Sequence, residues 1–319
     1  MSVMKWLRYL LVAILAVGVL ISSIAFRENN QRVKMLEAES RLVETRHGAT
    51  EYAVWGEGPP VLAVHGAAGG FDQGRLLAEV FGGDSFMWIA VSRFGYLRSE
   101  LTEHGSPDDQ AHAFADLLDE LGLRRVSVLA MSGGVPPALQ FGELYPDRVD
   151  RMVLLSSAPF TPFSPDVEGR PIPSWVYGAL LGNDVVYWLL TRVARGGLEQ
   201  KFDARTDLRE ALSSEEEAFI RRLVDEFLPA SKRVVGVGNE GAAVDPSIVY
   251  QLEAIEAPTL VVHAWDDRLN PFAVGEAIAE GVPNARFIAL DHGGHLLLGH
   301  HADVKCIIAD FLSGLTDNN

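Results

Sequence analysis

One serine stands where a nucleophile could work, at the end of an apolar run and among small residues. Ser132 follows the run VSVLAM (126–131), with Ala130 and Gly134 two residues to either side. A nucleophilic serine on a tight strand-to-helix turn needs small neighbours, because its backbone is strained and other segments pass close to it. The usual pattern is G-x-S-x-G, and Ala130 takes the place of its first glycine. The sequence thus predicts a nucleophile at Ser132, with an ordinary strand-end serine as the alternative.

Such a turn needs a strand before it, and apolar runs alternate with helical patterns along most of the chain. Six runs are continuous rather than alternating in polarity: VLAVH (61–65), FMWIAV (86–91), VSVLAM (126–131), MVLLS (152–156), TLVVHA (259–264) and RFIAL (286–290). Continuous runs are typical of strands buried on both faces in a parallel sheet that helices cover. Strand-like stretches at 41–46 and 51–55 indicate a hairpin, and 111–123 has a helical pattern. The sequence predicts an α/β fold with a doubly wound, mostly parallel sheet.

The strand pattern breaks between residues 159 and 249, where proline-rich stretches and helical patterns replace the apolar runs. We interpret this segment as a mainly helical insertion between two strands of the core. The predicted organisation is therefore an N-terminal segment over 1–34, a core in two parts over 35–158 and 250–319, and the insertion over 159–249.

The N-terminal segment contains an uncharged apolar run from Tyr9 to Phe26, with cations on both flanks. As a helix this run spans about 27 Å, enough for the core of a bilayer. We expect a single-pass membrane anchor with the catalytic domain outside the cytoplasm, since the free N-terminus adds a positive charge on the short side. The alternative is a signal peptide cleaved before Phe26, which would leave a secreted or periplasmic protein. Residues 29–40 are polar and are interpreted as a stalk.

Composition argues against several kinds of partner and cofactor. Acidic residues outnumber basic ones by 43 to 27, and the formal net charge of −16 repels nucleic acid. Cys306 is the only cysteine, which excludes an intramolecular disulfide and the usual zinc-finger spacings. The sequence contains no cluster with metal-ligand spacing, so we expect neither a metal nor another cofactor.

Six motifs make the sequence similar to the α/β-hydrolase family, in the subgroup that carries a lid between strands six and seven. In chain order they are HGAAGG (65–70), SRFGYLRS (92–99), AMSGG (130–134), YPDRVDRMVLLS (145–156), HAWDDRLNP (263–271) and DHGGH (291–295). The resemblance runs from about Leu42 to Leu312 and is weakest in the insertion. It implies a serine hydrolase in which nucleophile, acid and histidine follow in that order along the chain.

The resemblance places the acid after the run TLVVHA, where two carboxylates are neighbours. In similar sequences the acid lies four residues after the position of His263 and four before that of Pro271, which selects Asp267. Asp266 is then interpreted as a solvated carboxylate of the loop.

The histidine is expected after the last strand, where His292 and His295 both qualify. The sequence GGH favours His295, because two glycines let the loop turn sharply and bring the imidazole over the serine. His295 would take the proton of Ser132, while Asp267 would hold the correct tautomer and stabilise the imidazolium.

The oxyanion of the reaction intermediate needs donors, and the resemblance implies the backbone N–H groups of Gly133 and Ala67. His65, in the same loop as Ala67, is interpreted as a residue that braces the loop. Arg93 stands where similar sequences often carry an aspartate. A contact with the lid, a contact with a carboxylate of the substrate and a purely structural role remain open for it.

The expected substrate is a small ester or related acyl compound that forms an acyl-enzyme. Five lid aromatics either line an apolar pocket or pack within the lid: Trp175, Tyr177, Tyr187, Trp188 and Phe202. A serine nucleophile argues against haloalkane dehalogenases and epoxide hydrolases, which use an aspartate. A cofactor-free haloperoxidase or perhydrolase and a carbon–carbon bond hydrolase are alternatives. A membrane-tethered binding protein that has lost the reaction is a third, because fold alone does not determine function.

Overall fold

The sheet expected from the apolar runs forms the centre of the computed structural model, which describes residues 3–102, 105–163, 182–210 and 212–315. The strands are β1 Arg41–Thr45, β2 Gly48–Trp55, β3 Pro60–Val64, β4 Met87–Val91, β5 Val126–Met131, β6 Val149–Leu155, β7 Thr259–Ala264 and β8 Ala285–Leu290. They form one sheet in the order β1-β2-β4-β3-β5-β6-β7-β8. The β1/β2 and β2/β4 pairs are antiparallel, and the other neighbours are parallel. The predicted hairpin and the mostly parallel sheet are confirmed.

Burial along the strands follows their place in the sheet. Every residue of β5 and β7 is buried, as expected for central strands of a covered parallel sheet. β8 differs from the expectation, because most of its residues are only partly buried. It lies at one edge of the sheet and has a neighbouring strand on one side only.

The helices lie between and around the strands. They are α1 Val3–Glu39, α2 Phe71–Leu77, α3 Pro107–Glu120, α4 Val135–Leu144, α5 Asp184–Val193, α6 Arg195–Lys201, α7 Ser214–Asp225, α8 Val234–Asn239, α9 Phe272–Gly281 and α10 His301–Leu312. α3 starts four residues before the predicted stretch, because Ser106 caps it and forms a capping box with Asp109. Gly122 follows its end with φ +65°, a conformation that suits glycine.

Two hydrophobic clusters flank the sheet, one on each face. Along β3, Ala63 packs in the cluster that contains Phe71 of α2, and its neighbour Leu62 packs in the cluster that contains Phe114 of α3 and Phe141 of α4. Side chains alternate between the faces of a strand, so apolar residues at successive positions serve both clusters. This is the doubly wound arrangement that the sequence predicted.

The described part of the segment between β6 and β7 consists of α5 to α8 with short 3₁₀ turns, and it contains no strand. A small apolar cluster holds its helices together and includes Tyr187, Val224 and Phe227. Trp175 and Tyr177 lie outside the described residues. We call this segment the lid.

The N-terminal helix α1 contains a stretch, within Trp6–Glu39, that is long and apolar enough to cross a membrane, and little of its apolar window is buried. Its polar end differs from a free stalk. The helix continues without a break to Glu39. Within its polar part, Arg32 pairs with Asp72 of α2 at 2.7 Å, and Leu36 is buried in the core. Glu28 accepts hydrogen bonds from Trp188 and Arg192 of the lid helix α5. The polar half of α1 is therefore packed against the folded domain.

Candidate active site

The backbone at Ser132 has the strain expected of a nucleophile turn. Ser132 directly follows β5 and has φ +53°, in the left-handed region that non-glycine residues rarely adopt. A Cβ atom at Gly134 would lie 2.6 Å from the carbonyl oxygens of Val64 and His65, so only glycine fits there. A Cβ atom at Gly66 would lie 3.1 Å from Cβ of Ser132. The small residues predicted around this turn are thus required by the close approach of the loop after β3.

Asp267 and His295 are in contact on the loops that follow β7 and β8. The Nδ1 atom of His295 donates to Oδ2 of Asp267 at 2.9 Å, and the carboxylate is fully buried. The other oxygen, Oδ1, accepts the backbone N–H groups of Leu269 at 2.8 Å and Asn270 at 2.9 Å. The structure brings together the acid and the base that the sequence predicted.

A second histidine, which sequence reasoning missed, lies on the same carboxylate. The Nε2 atom of His263, at the end of β7, is 3.3 Å from Oδ2 of Asp267, and the ring is fully buried. Burial alone would raise the pKa of Asp267, but His295, His263 and the N–H of Asn270 outweigh it and hold this pKa below its ordinary range. The acid therefore stays ionised throughout the neutral range, as orienting an imidazolium requires.

Asp266 differs from the expectation of a solvated carboxylate. Its Oδ1 accepts the N–H of Gly294 at 2.8 Å, and its Oδ2 pairs with Arg205 of the lid at 2.5 Å. The same arginine binds Asp203, which accepts the backbone N–H of His295 at 2.9 Å. Asp266 and Asp203 therefore fix the loop that carries His295. No pattern in the sequence points to Asp203, which lies in the lid.

The hydroxyl of Ser132 is bound by an amide that the sequence analysis did not single out. Asn270 Nδ2 donates to Oγ of Ser132 at 3.3 Å and to the backbone oxygen of Ser156 at 2.8 Å. Among the described residues, Ser132 and His295 do not form a hydrogen bond with each other. The contact between nucleophile and base is thus not formed here. Catalytic hydrogen bonds of this kind are often completed only when substrate is bound.

The predicted oxyanion donors lie on the two segments that meet at Ser132, because Gly133 follows it and Gly66, the neighbour of Ala67, approaches its Cβ atom closely. Gly133 is at the start of the helical turn, where backbone N–H groups have no partner within the helix. In the loop after β3, the N–H of Ala68 donates to Tyr96, and Ala67 precedes it next to Gly66. Gly133 and Ala67 stay the predicted donors of the oxyanion hole.

His65 braces this loop, as its interpretation expected. Its Nδ1 donates to the carbonyl of Gly66 at 2.6 Å, and its Nε2 accepts the N–H of Arg93 at 2.9 Å. Burial and the adjacent Arg93 keep the pKa of His65 well below its ordinary value. The ring is therefore neutral, with one fixed tautomer.

Arg93 contacts the lid, one of the roles left open for it. The guanidinium is buried, donates from Nε to the carbonyl of His65 at 2.9 Å and pairs with Glu240 of the lid at 2.5 Å. Tyr96 also donates to Glu240, and the free oxygen of that carboxylate lies against Gly133. Glu240 and Arg93 therefore both lie against Gly133, the residue that follows Ser132.

Two of the lid aromatics have packing roles. Tyr187 donates to the carbonyl of Val224 at 2.9 Å and packs on Phe227. Trp188 is directed to α1, where its Nε1 donates to Glu28 at 2.7 Å. Phe202 is partly buried between the lid and the core.

Within the described residues, no group of three or more His, Cys, Asp or Glu could hold a metal ion.

The chain is similar to several known proteins. A family model for the alpha/beta hydrolase fold matches residues 59–302. A 2-hydroxy-6-oxononadienedioate/2-hydroxy-6-oxononatrienedioate hydrolase of Paraburkholderia phymatum is 28% identical over 291 residues, which are 86% of this chain and 96% of that protein. The non-heme chloroperoxidase CPO-A1 of Kitasatospora aureofaciens is 29% identical over 249 residues, 76% of this chain and 87% of that protein.

Solved structures with the same fold superpose on the chain. An alpha/beta hydrolase fold protein from Nakamurella multipartita superposes with a TM-score of 0.68 at 28% identity, covering 86% of this chain and 98% of that one. An esterase from Exiguobacterium antarcticum has a TM-score of 0.62 at 18% identity, covering 87% and 99%, and supports the fold alone. The expected fold class is confirmed, as is the expectation of an enzyme of the hydrolase class.

Proposed function

The chain belongs to the alpha/beta hydrolase fold family, and on that premise we propose that it is a serine hydrolase acting on an ester or related acyl substrate. The observation that carries this proposal is the site at the carboxyl edge of the sheet. A strained serine follows β5, and a buried aspartate–histidine pair joins the loops after β7 and β8. These are the positions at which enzymes of this fold carry nucleophile, acid and base.

The proposed reaction uses the three side chains in turn. His295 Nε2 takes the proton of Ser132 as Oγ attacks the acyl carbon, and Asp267 stabilises the imidazolium. The N–H groups of Gly133 and Ala67 stabilise the oxyanion, and loss of one such donor typically costs about 10²–10³ in turnover. His295 then protonates the leaving group, and water hydrolyses the acyl-enzyme by the same route.

The ester reading is favoured over cleavage of a dicarboxylate such as those named for the Paraburkholderia relative. A doubly charged substrate needs cationic partners in the site. Arg93, a buried arginine that lies against Gly133, is already paired with Glu240. This pair leaves Arg93 no net charge to offer a second carboxylate.

We further propose that α1 anchors the protein in a membrane, with the catalytic domain on the extracytoplasmic side. The support is the exposed apolar stretch of α1 together with the position of its polar half on the domain. A cleaved signal peptide is the competing proposal.

The proposed activity is tested with nitrophenyl esters of graded chain length and the compound classes named for the relatives. We expect ester hydrolysis by the wild type and a fall of at least roughly 10⁴-fold in kcat for Ser132→Ala. Ser157→Ala is a matched control, because Ser157 is a buried serine next to Ala158, whose N–H donates to the carbonyl of Ser132. Within the described residues the hydroxyl of Ser157 has no hydrogen-bond partner. If the enzyme cleaves a carbon–carbon bond substrate and does not hydrolyse the esters, the ester proposal is wrong.

A further inference from the structure

The amide of Asn270 is the polar side chain in direct contact with the Ser132 hydroxyl. Its Nδ2 atom lies 3.3 Å from Oγ and 2.8 Å from the carbonyl oxygen of Ser156. A carbonyl oxygen only accepts hydrogen bonds, so the nitrogen of the amide must face Ser156. The same nitrogen therefore faces Ser132, and its second hydrogen is directed to Oγ.

Asn270 is held rigidly in this position. The residue is 7% exposed, its backbone N–H donates to Oδ1 of Asp267, and its backbone carbonyl oxygen lies 3.3 Å from Nε2 of His263. The residue thus belongs to the loop that carries the catalytic acid. Its rotamer is fixed at one end by that loop and at the other by the end of β6.

The contact occupies an acceptor site of the serine and leaves its proton free. A hydroxyl has one hydrogen to donate and two lone pairs that accept. Oγ accepts from Asn270, so its own hydrogen can still pass to His295. An amide at this place therefore does not compete with the general base.

We propose that Asn270 is a further catalytic residue, which stabilises Oγ of Ser132 as the leaving group when the acyl-enzyme breaks down. This inference rests on the proposed serine hydrolase function. In that step water adds to the acyl carbon and gives a proton to His295. The C–Oγ bond then breaks with its electron pair moving to Oγ, which takes the proton from His295 Nε2, and Asn270 donates to Oγ throughout.

The effect falls mainly on deacylation because the two ground states differ. Before acylation, Oγ is a hydroxyl that already accepts the amide hydrogen, so the interaction is present in both ground and transition state. In the acyl-enzyme, Oγ is an ester oxygen and a poor acceptor, and negative charge develops on it only as the bond breaks. Interactions that are stronger in the transition state than in the ground state accelerate a step.

The test separates the two steps by stopped-flow kinetics with a nitrophenyl ester on the full-length enzyme. Asn270→Leu keeps the size of the side chain and removes the donor. We expect its deacylation rate to fall roughly tenfold, with acylation changed by less than about threefold, since a hydrogen bond to a charged atom is worth about one decade or more. Acyl-enzyme should accumulate as a burst in the variant.

Asn270→Ala gives the same comparison if the leucine variant does not fold. Thermal unfolding of each variant shows whether the substitution destabilises the loop that carries Asp267. An equal fall in both rates would overturn the proposal, because a purely structural role displaces His295 and affects both steps alike. Unchanged rates would overturn it as well. If the wild type forms no acyl-enzyme, the proposed function fails and this inference falls with it.

Discussion

At the residue scale, the site is organised around one buried carboxylate. Asp267 accepts two backbone N–H groups on one oxygen, and His295 and His263 lie against the other. A buried charge is tolerated only when it is paired and hydrogen-bonded. Four donors meet that requirement for Asp267 and fix the plane of the carboxylate relative to the imidazole of His295.

The two neighbouring aspartates should respond differently to the same substitution. Asp267→Asn should lower kcat by up to roughly 10⁴, because the amide favours the wrong tautomer of His295. Asp266→Asn should have a much smaller effect, since Asp266 contacts Gly294 and Arg205 rather than the imidazole. Steady-state ester hydrolysis measures both variants. A larger loss in Asp266→Asn would show that the acid is wrongly assigned.

At the scale of elements, the lid is fastened to the core by buried ions. Arg233, just before α8, is fully buried and donates to Asp72 of α2 at 2.7 Å and to the carbonyl of Gly69 at 2.5 Å. Asp72 also pairs with Arg32 of α1. One carboxylate thus joins lid, core and N-terminal helix, directly beside the loop that carries the proposed oxyanion donor.

Glu226, at the end of α7, makes this junction sensitive to pH. Burial and, to a smaller extent, repulsion from Asp72 raise the pKa of Glu226 to about 7. Attraction to Arg222 and Arg32 lowers this pKa but does not offset the rise. The folded protein therefore keeps a proton on Glu226 at pH values where the unfolded chain, with a pKa of about 4.3, has lost it. This contribution to stability is complete below the unfolded pKa and is lost as the pH rises toward 7.

Glu226→Gln should remove that dependence, because glutamine stays neutral. We expect the Tm of the variant to exceed that of the wild type at about pH 8 and to approach it at about pH 4, below the unfolded pKa. Thermal unfolding monitored by circular dichroism across this range is the measurement. Curves that stay parallel for the two proteins would show that Glu226 does not titrate in this window.

At the scale of the whole molecule, α1 joins in one continuous helix an apolar part and a polar part that the sequence analysis treated as separate segments. Its apolar part is exposed, and its polar part from Glu28 to Glu39 packs on the lid and the core. The polar contacts begin two residues after the apolar run ends. An anchor of this kind would hold the lid helix α5 close to the surface of the membrane.

Two truncations separate these roles of α1. Removal of residues 2–26 should release the protein from membrane fractions with its fold intact, because the docked residues remain. Removal of residues 2–39 should in addition lower Tm, since it uncovers the site of Leu36 and leaves Asp72 with one cation instead of two. Fractionation and thermal unfolding measure the two effects. Equal Tm values for both truncations would mean that the polar half contributes nothing to stability.

The sequence predicted what depends on local pattern. Apolar runs located the strands, and the turn after β5 located Ser132 through the size of its neighbours. Asp203 and Asn270 were missed because their roles depend on contacts between segments 92 and 138 residues apart. The docking of α1 was missed because a polar helical stretch has the same composition whether it faces solvent or forms ion pairs with a lid.

Labelling with a fluorophosphonate tests directly whether Ser132 is an activated nucleophile. We expect one modified peptide, containing Ser132, in the wild type and in Ser157→Ala, and no label in Ser132→Ala. Absence of labelling in folded wild-type protein, or a label on another residue, would contradict it.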